Sequence, residues 1–123
     1  MRSIADTYAK QALLSVRKVQ QMKFAKEYGR LCHQFPIMVL TNGLRLTVAF
    51  FVSKQKDEES PYTEYLKHIG LATGLDENWY KGDILNGSMT EYRDLTRRML
   101  AASVWFKRYA EAILKVDPAD MGD

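Results

Sequence analysis

The chain has 123 residues, 46% of them apolar, which suits one domain closed around a single hydrophobic core. Its one cysteine, Cys32, excludes an internal disulfide, no secretory leader is legible before the first helical pattern, and the cytoplasm is the expected address. Net charge is only +3, yet residues 1–56 hold ten Lys/Arg against Asp6 and Glu27, whereas residues 57–123 hold eight against thirteen Asp/Glu. This asymmetry points either to a basic surface for a polyanion and an acidic one for a neighbouring protein, or to a mixed, solvated surface. The longest apolar run, residues 46–52 with Thr47 inside it, is far shorter than the roughly 20 residues that span a bilayer.

Residues 3–33 read as one long helix. Ile4, Tyr8, Ala12, Val16, Val19 and Met22 recur at spacings of three or four and form an inward stripe. Ser3 is the expected N-cap, with Asp6 as its capping-box partner. Beyond Met22 the same face carries Lys23, Lys26 and Arg30, a basic end projecting past its neighbours, while Leu13, Phe24 and Leu31 offer a second packing side. Pro36 is expected to break this helix and start another. The almost wholly apolar stretch at 37–53 also suits a strand at Val48–Val52 in composition, but its length favours a central helix. Gly43 inside it marks a close helix crossing.

Residues 54–59 form a charged loop whose Asp57, Glu58 and Glu59 lack the alternating ligands of a calcium site. Ser60 and Pro61 start a helix that carries Tyr62, Tyr65, Leu66, Ile69 and Leu71 and stops near Gly74. Residues 76–87, around Trp79 and Tyr80, read as a loop with a short helical turn or two. Ser88 and Glu91 form a capping box for the last helix, with Tyr92, Leu95, Met99, Ala102, Phe106, Ala110 and Ile113 as its buried stripe. The expected fold is all-α, a compact single-domain bundle of about five helices over 1–115, with 116–123 a frayed tail.

The residues supply little chemistry. His33, His68 and Cys32 are the whole soft-ligand inventory, without metal-ligand spacing, and adjacent Cys32 and His33 cannot face each other on a helix. A half-buried histidine and an inert thiol at a helix end are the expected roles. Asn86-Gly87-Ser88 reads as a turn and cap. No catalytic residue, metal or other cofactor is expected, and no small-molecule substrate. What remains is basic helix surface: Lys23, Lys26 and Arg30 on one element, and Arg93, Arg97 and Arg108 along the last helix, where Asp94 can neutralise Arg98. Trp105 is either a second core contact or an interface anchor.

Two segments resemble a known family. Phe35-Pro36-Ile37, Asn42-Gly43-Leu44 and Ala49-Phe50 resemble the second-helix signature of the small subunit of type III-B (Cmr-type) CRISPR effector complexes. Tyr92-Arg93, Leu95-Thr96, Leu100, Trp105, Lys107-Arg108 and Ala110 resemble that family's last helix, and Lys26 with Tyr28 fits before the proline. The resemblance implies a non-enzymatic helical subunit whose copies stack along the backbone subunits of a crRNA-guided complex and steady the guide–target RNA. Its partners would be other subunits, copies of itself, crRNA and target RNA, with no membrane. The family has no catalytic residues to transfer. Assigning Lys23, Lys26, Arg30, Arg93, Arg97 and Arg108 to RNA rests on the helix-face reading. The alternatives are a helical protein–protein adaptor without nucleic acid and a small helical enzyme.

Overall fold

A computed structural model describes residues 3–55 and 59–121. All regular structure among the described residues is helical, in five main helices: α1 (Ile4–Val19), α2 (Ala25–Asn42), α3 (Leu44–Ser53), α4 (Pro61–Ala72) and α5 (Met89–Tyr109). Single 3-10 turns at Trp79–Lys81 and Asp83–Asn86 bridge α4 and α5. Three helix starts carry the expected local signals. Ser3 and Asp6 make a reciprocal capping box, as do Ser88 and Glu91, and the Ser60 side chain accepts from the Tyr62 N–H ahead of Pro61.

The first two helices depart from the sequence expectation. The stretch read as one helix over 3–33 is two, separated by a turn in which the Met22 N–H donates to the Val19 carbonyl at 2.8 Å. No glycine, proline or side-chain cap marks this break; Phe24 occupies the N-cap of α2 without a capping bond. The break lets α1 and α2 each lay an apolar face on α5 and on α4, which one straight rod cannot do. Pro36, expected to begin a helix, lies buried inside α2. An interior proline removes one helical hydrogen bond, but Leu31, Cys32, Phe35 and Val39 on the same helix are all core residues that hold it in place.

Gly43 is the true break, rather than a crossing point inside a central helix. Its φ of 87° and ψ of 161° separate α2 from α3, a backbone region essentially reserved for glycine. Val48–Val52, which also suited a strand, is helical within α3, where Leu44, Thr47, Val48 and Phe51 are buried.

The core centres on Tyr65 of α4. Its ring lies 5.0 Å from that of Phe35, 5.4 Å from Phe106, 5.8 Å from Tyr28 and 6.0 Å from Phe51, so four helices meet there. Trp79, placed by sequence in a loop with a short helical turn or two, is a core residue. It packs against Gly70, where a β-carbon would overlap the indole, and its Nε1 donates to the Leu66 carbonyl at 2.7 Å.

At the far end, α5 widens into a π-helical turn, Ala110–Leu114, and Lys115 turns left-handed at φ 60°. Val116, assigned by sequence to the frayed tail, is buried in the space left by Gly29, where a β-carbon would come within 2.7 Å of it. Its carbonyl lies 2.9 Å from His33 Nε2. The packed chain therefore runs at least to Val116. The acidic residues Asp57 and Glu58 of the charged loop, and Gly122 and Asp123 of the tail, lie outside the described residues.

Candidate functional site

The soft-ligand residues are structural. Cys32 lies inside α2 rather than at a helix end, and burial pushes its thiol well above the usual range, away from nucleophilic thiolate. His33 is buried against Val116. His68 is buried within a polar chain: Tyr28 Oη lies 2.7 Å from its Nδ1, and Glu64 lies 3.2 Å from its Nε2. Hydrogen bonding to His68 holds the Glu64 carboxyl below its ordinary range, while burial pushes the Tyr28 hydroxyl well above its own. These groups stitch α2 to α4. Among the described residues, no group of three or more His, Cys, Asp or Glu could hold a metal ion, and no helix is long and apolar enough to cross a membrane.

The six basic residues named from sequence separate into distinct settings. Lys26 and Arg30 are exposed one turn apart on α2, with exposed Lys23 in the preceding turn. They belong to the start of α2 rather than to a projecting end of the first helix, so the basic face rides on a helix whose opposite side is core. Between them in sequence, Tyr28 and Gly29 are buried, one held by His68 and the other covered by Val116. Glu27 is the one acidic side chain on the first turn.

Arg93 and Arg97 have the same i, i+4 spacing on α5 but different surroundings. They line a shallow open cavity of about 390 Å³ together with Tyr92, Thr96 and Leu100. No carboxylate among the described residues lines it, and the adjacent Asp94 is engaged by Arg98 at 3.2 Å, the i, i+4 pair expected from sequence. Tyr92, read from sequence as part of the buried stripe, is only partly covered. The α2–α3 junction fixes it: the Arg45 N–H donates to Tyr92 Oη at 3.1 Å, and the Arg45 guanidinium lies 4.1 Å from the Tyr92 ring centroid. Arg45 Nε also donates to the Leu85 carbonyl at 2.7 Å. Arg108, further along α5, has its guanidinium 4.6 Å from the centroid of Trp105, a ring packed partly against the core.

Arg45, Thr96 and Leu100 were not legible as site residues. Arg45 lies within the almost wholly apolar 37–53 stretch, and only the fold places it against Tyr92, 47 residues on.

Comparison with known proteins supplies the family. The family described as CRISPR-associated protein (Cas_Cmr5) matches residues 4–113. The curated protein "CRISPR system Cmr subunit Cmr5" of Thermus thermophilus is 28% identical over 115 residues, covering 94% of this chain and 99% of that one. A crystal structure of a CRISPR-associated Cmr5 family protein from Thermus thermophilus superposes with a TM-score of 0.81 at 27% identity, over 93% of this chain and 99% of that one. With the family matched over almost the whole helical bundle, the chain belongs to the Cmr5 family of CRISPR-associated proteins.

Proposed function

We propose that this chain is the small, non-catalytic subunit of a crRNA-guided type III-B (Cmr) CRISPR ribonucleoprotein in the cytoplasm, and that its α2 basic face holds RNA phosphates. The subunit role rests on family membership and on the name of the curated relative. The RNA role rests on one observation: Lys26 and Arg30 are exposed one turn apart on a helix whose other side is core, with Lys23 beside them. Such a face presents positive charge at fixed spacing without a pocket or base-reading element, which suits phosphates irrespective of sequence. Copies of the chain stacked along the backbone subunits would repeat the face beside the guide–target RNA, and repetition would compensate for weak binding by a single copy. Arg93, Arg97 and Arg108 were expected to serve the same RNA. The apolar floor beneath the first two, and the indole beneath the third, favour the α2 face for phosphates.

The test is charge reversal. Lys23→Glu, Lys26→Glu and Arg30→Glu together should lower RNA retention by the assembled complex by roughly tenfold or more. They should also flatten the salt dependence of binding by about 0.7–0.9 in log–log slope per lost phosphate contact. An unchanged slope would remove this face from the RNA surface. Purifying the wild-type complex from its native cell and sequencing the bound RNA tests the larger claim. Absence of repeat-derived guide RNA would count against it.

A further inference from the structure

We infer that the groove at the start of α5 docks a protein segment of another subunit, one that presents an apolar side chain flanked by carboxylates. The inference rests on the subunit reading above. Four observations carry it. The groove floor is Tyr92 and Leu100, partly covered and largely apolar, whereas phosphates need no such floor. Arg93 and Arg97 stand beside it, exposed and one turn apart, and the neighbouring Asp94 is already committed to Arg98. A third cation, Arg45, is stacked on Tyr92 and tied to the Leu85 carbonyl. Among the described residues, no carboxylate lines the groove.

The chemistry favours carboxylates. A guanidinium fork meets a carboxylate through two parallel hydrogen bonds. An apolar centre rimmed by arginine, with an aromatic ring in the floor, has the composition of a protein–protein contact that excludes water at its core. The shallow cavity suits one inserted side chain rather than an enclosed small molecule. The groove is also preformed: Tyr92 is pinned by the Arg45 N–H from α3 and packs beside Gly43, while α5 itself starts at the Ser88–Glu91 capping box. Little ordering remains for binding to supply.

The experiment uses the complex purified from cells expressing the full-length chain. R93K/R97K keeps the charge but places primary amines at the groove, and a carbodiimide then joins an amine to any carboxylate in contact with it. The expected result is an amide cross-link from these positions to an aspartate or glutamate of a different subunit, absent from the wild-type chain. In parallel, R93E/R97E should lower recovery of this chain in the complex by roughly tenfold, while its melting temperature and its affinity for oligouridylate stay unchanged. Cross-links only to a second copy of this chain, or no new cross-link, overturn the inference. So does an oligouridylate affinity that falls while recovery holds, since that makes the groove an RNA surface. A wild-type chain that recovers no other subunit overturns the subunit reading instead, so the two failures are told apart.

Discussion

Lys26 with Arg30 and Arg93 with Arg97 are the same motif in sequence, two cations one helical turn apart on an exposed face. Their settings differ in what lies between and beneath them. On α2, the intervening Tyr28 and Gly29 face inward, one bound to His68 and the other covered by Val116, so only charge reaches the surface. On α5, Tyr92, Thr96 and Leu100 stay partly open beside the arginines, and Arg45 arrives from α3 to stack on Tyr92. Spacing of i, i+4 therefore sets the geometry of a charge pair but not its partner. The residues that a distant element brings beneath it decide between a phosphate-binding face and a docking groove.

The two faces should come apart most clearly at Gly43, on which the α5 groove depends and the α2 face does not. Gly43→Ala puts a β-carbon on a backbone with φ 87° and ψ 161°, which should cost about 1–3 kcal/mol in chemical denaturation. Because this junction carries Arg45 to Tyr92, cross-linking at the groove should fall while the salt slope of RNA binding holds.

The support beneath the α2 face comes next. Tyr28→Phe removes the hydroxyl 2.7 Å from His68 Nδ1 and leaves that buried nitrogen without its partner, at a cost of about 1–3 kcal/mol. Tyr65→Phe is the control, because the buried Tyr65 hydroxyl meets no hydrogen-bond partner among the described residues. Its removal should be neutral or stabilising. Equal losses in the two variants would show that the Tyr28–His68 contact contributes nothing specific.

Acid should act on the same support. The Glu64 carboxyl is held low chiefly by its hydrogen bond to His68. A lowered folded-state pKa means that the contribution is complete above the ordinary carboxylate range and is lost as pH falls through the lowered value. Wild-type stability should therefore decline on the acid side, and Glu64→Gln should flatten that decline. Denaturation midpoints between neutral and strongly acidic pH read it out.

The smallest effect belongs to Tyr92→Phe. It removes the acceptor of the Arg45 N–H at an exposed site but leaves the ring under the guanidinium. A loss of about 0.5–1.5 kcal/mol or less is expected in thermal unfolding, with groove cross-linking weakened and RNA binding intact.

Much of this molecule was legible where the physics is local. The capping boxes at Ser3–Asp6 and Ser88–Glu91, the Ser60–Pro61 start and the buried stripe Leu95, Met99, Ala102, Phe106 all stand as read, because a cap or a 3.6-residue period is satisfied within one or two turns. The all-helical fold and the family followed from the same patterns together with the motif resemblance. The break at 20–24 has no local signature, since it exists only because α1 and α2 must both reach α4 and α5. Pro36 could be kept inside a helix only by the core around it, and Gly43 became a break because α3 leaves α2 there.

Residue order was thus enough to establish that the chain is helical, where three of its helices begin, and which residues carry its basic charge. Packing was needed to divide the first two helices, to bring Trp79 and Val116 into the core, and to set Arg45 over Tyr92. The physical reason is range. Helix period and capping act within a few residues, whereas the surroundings of a surface charge are composed by packing segments that lie tens of residues apart.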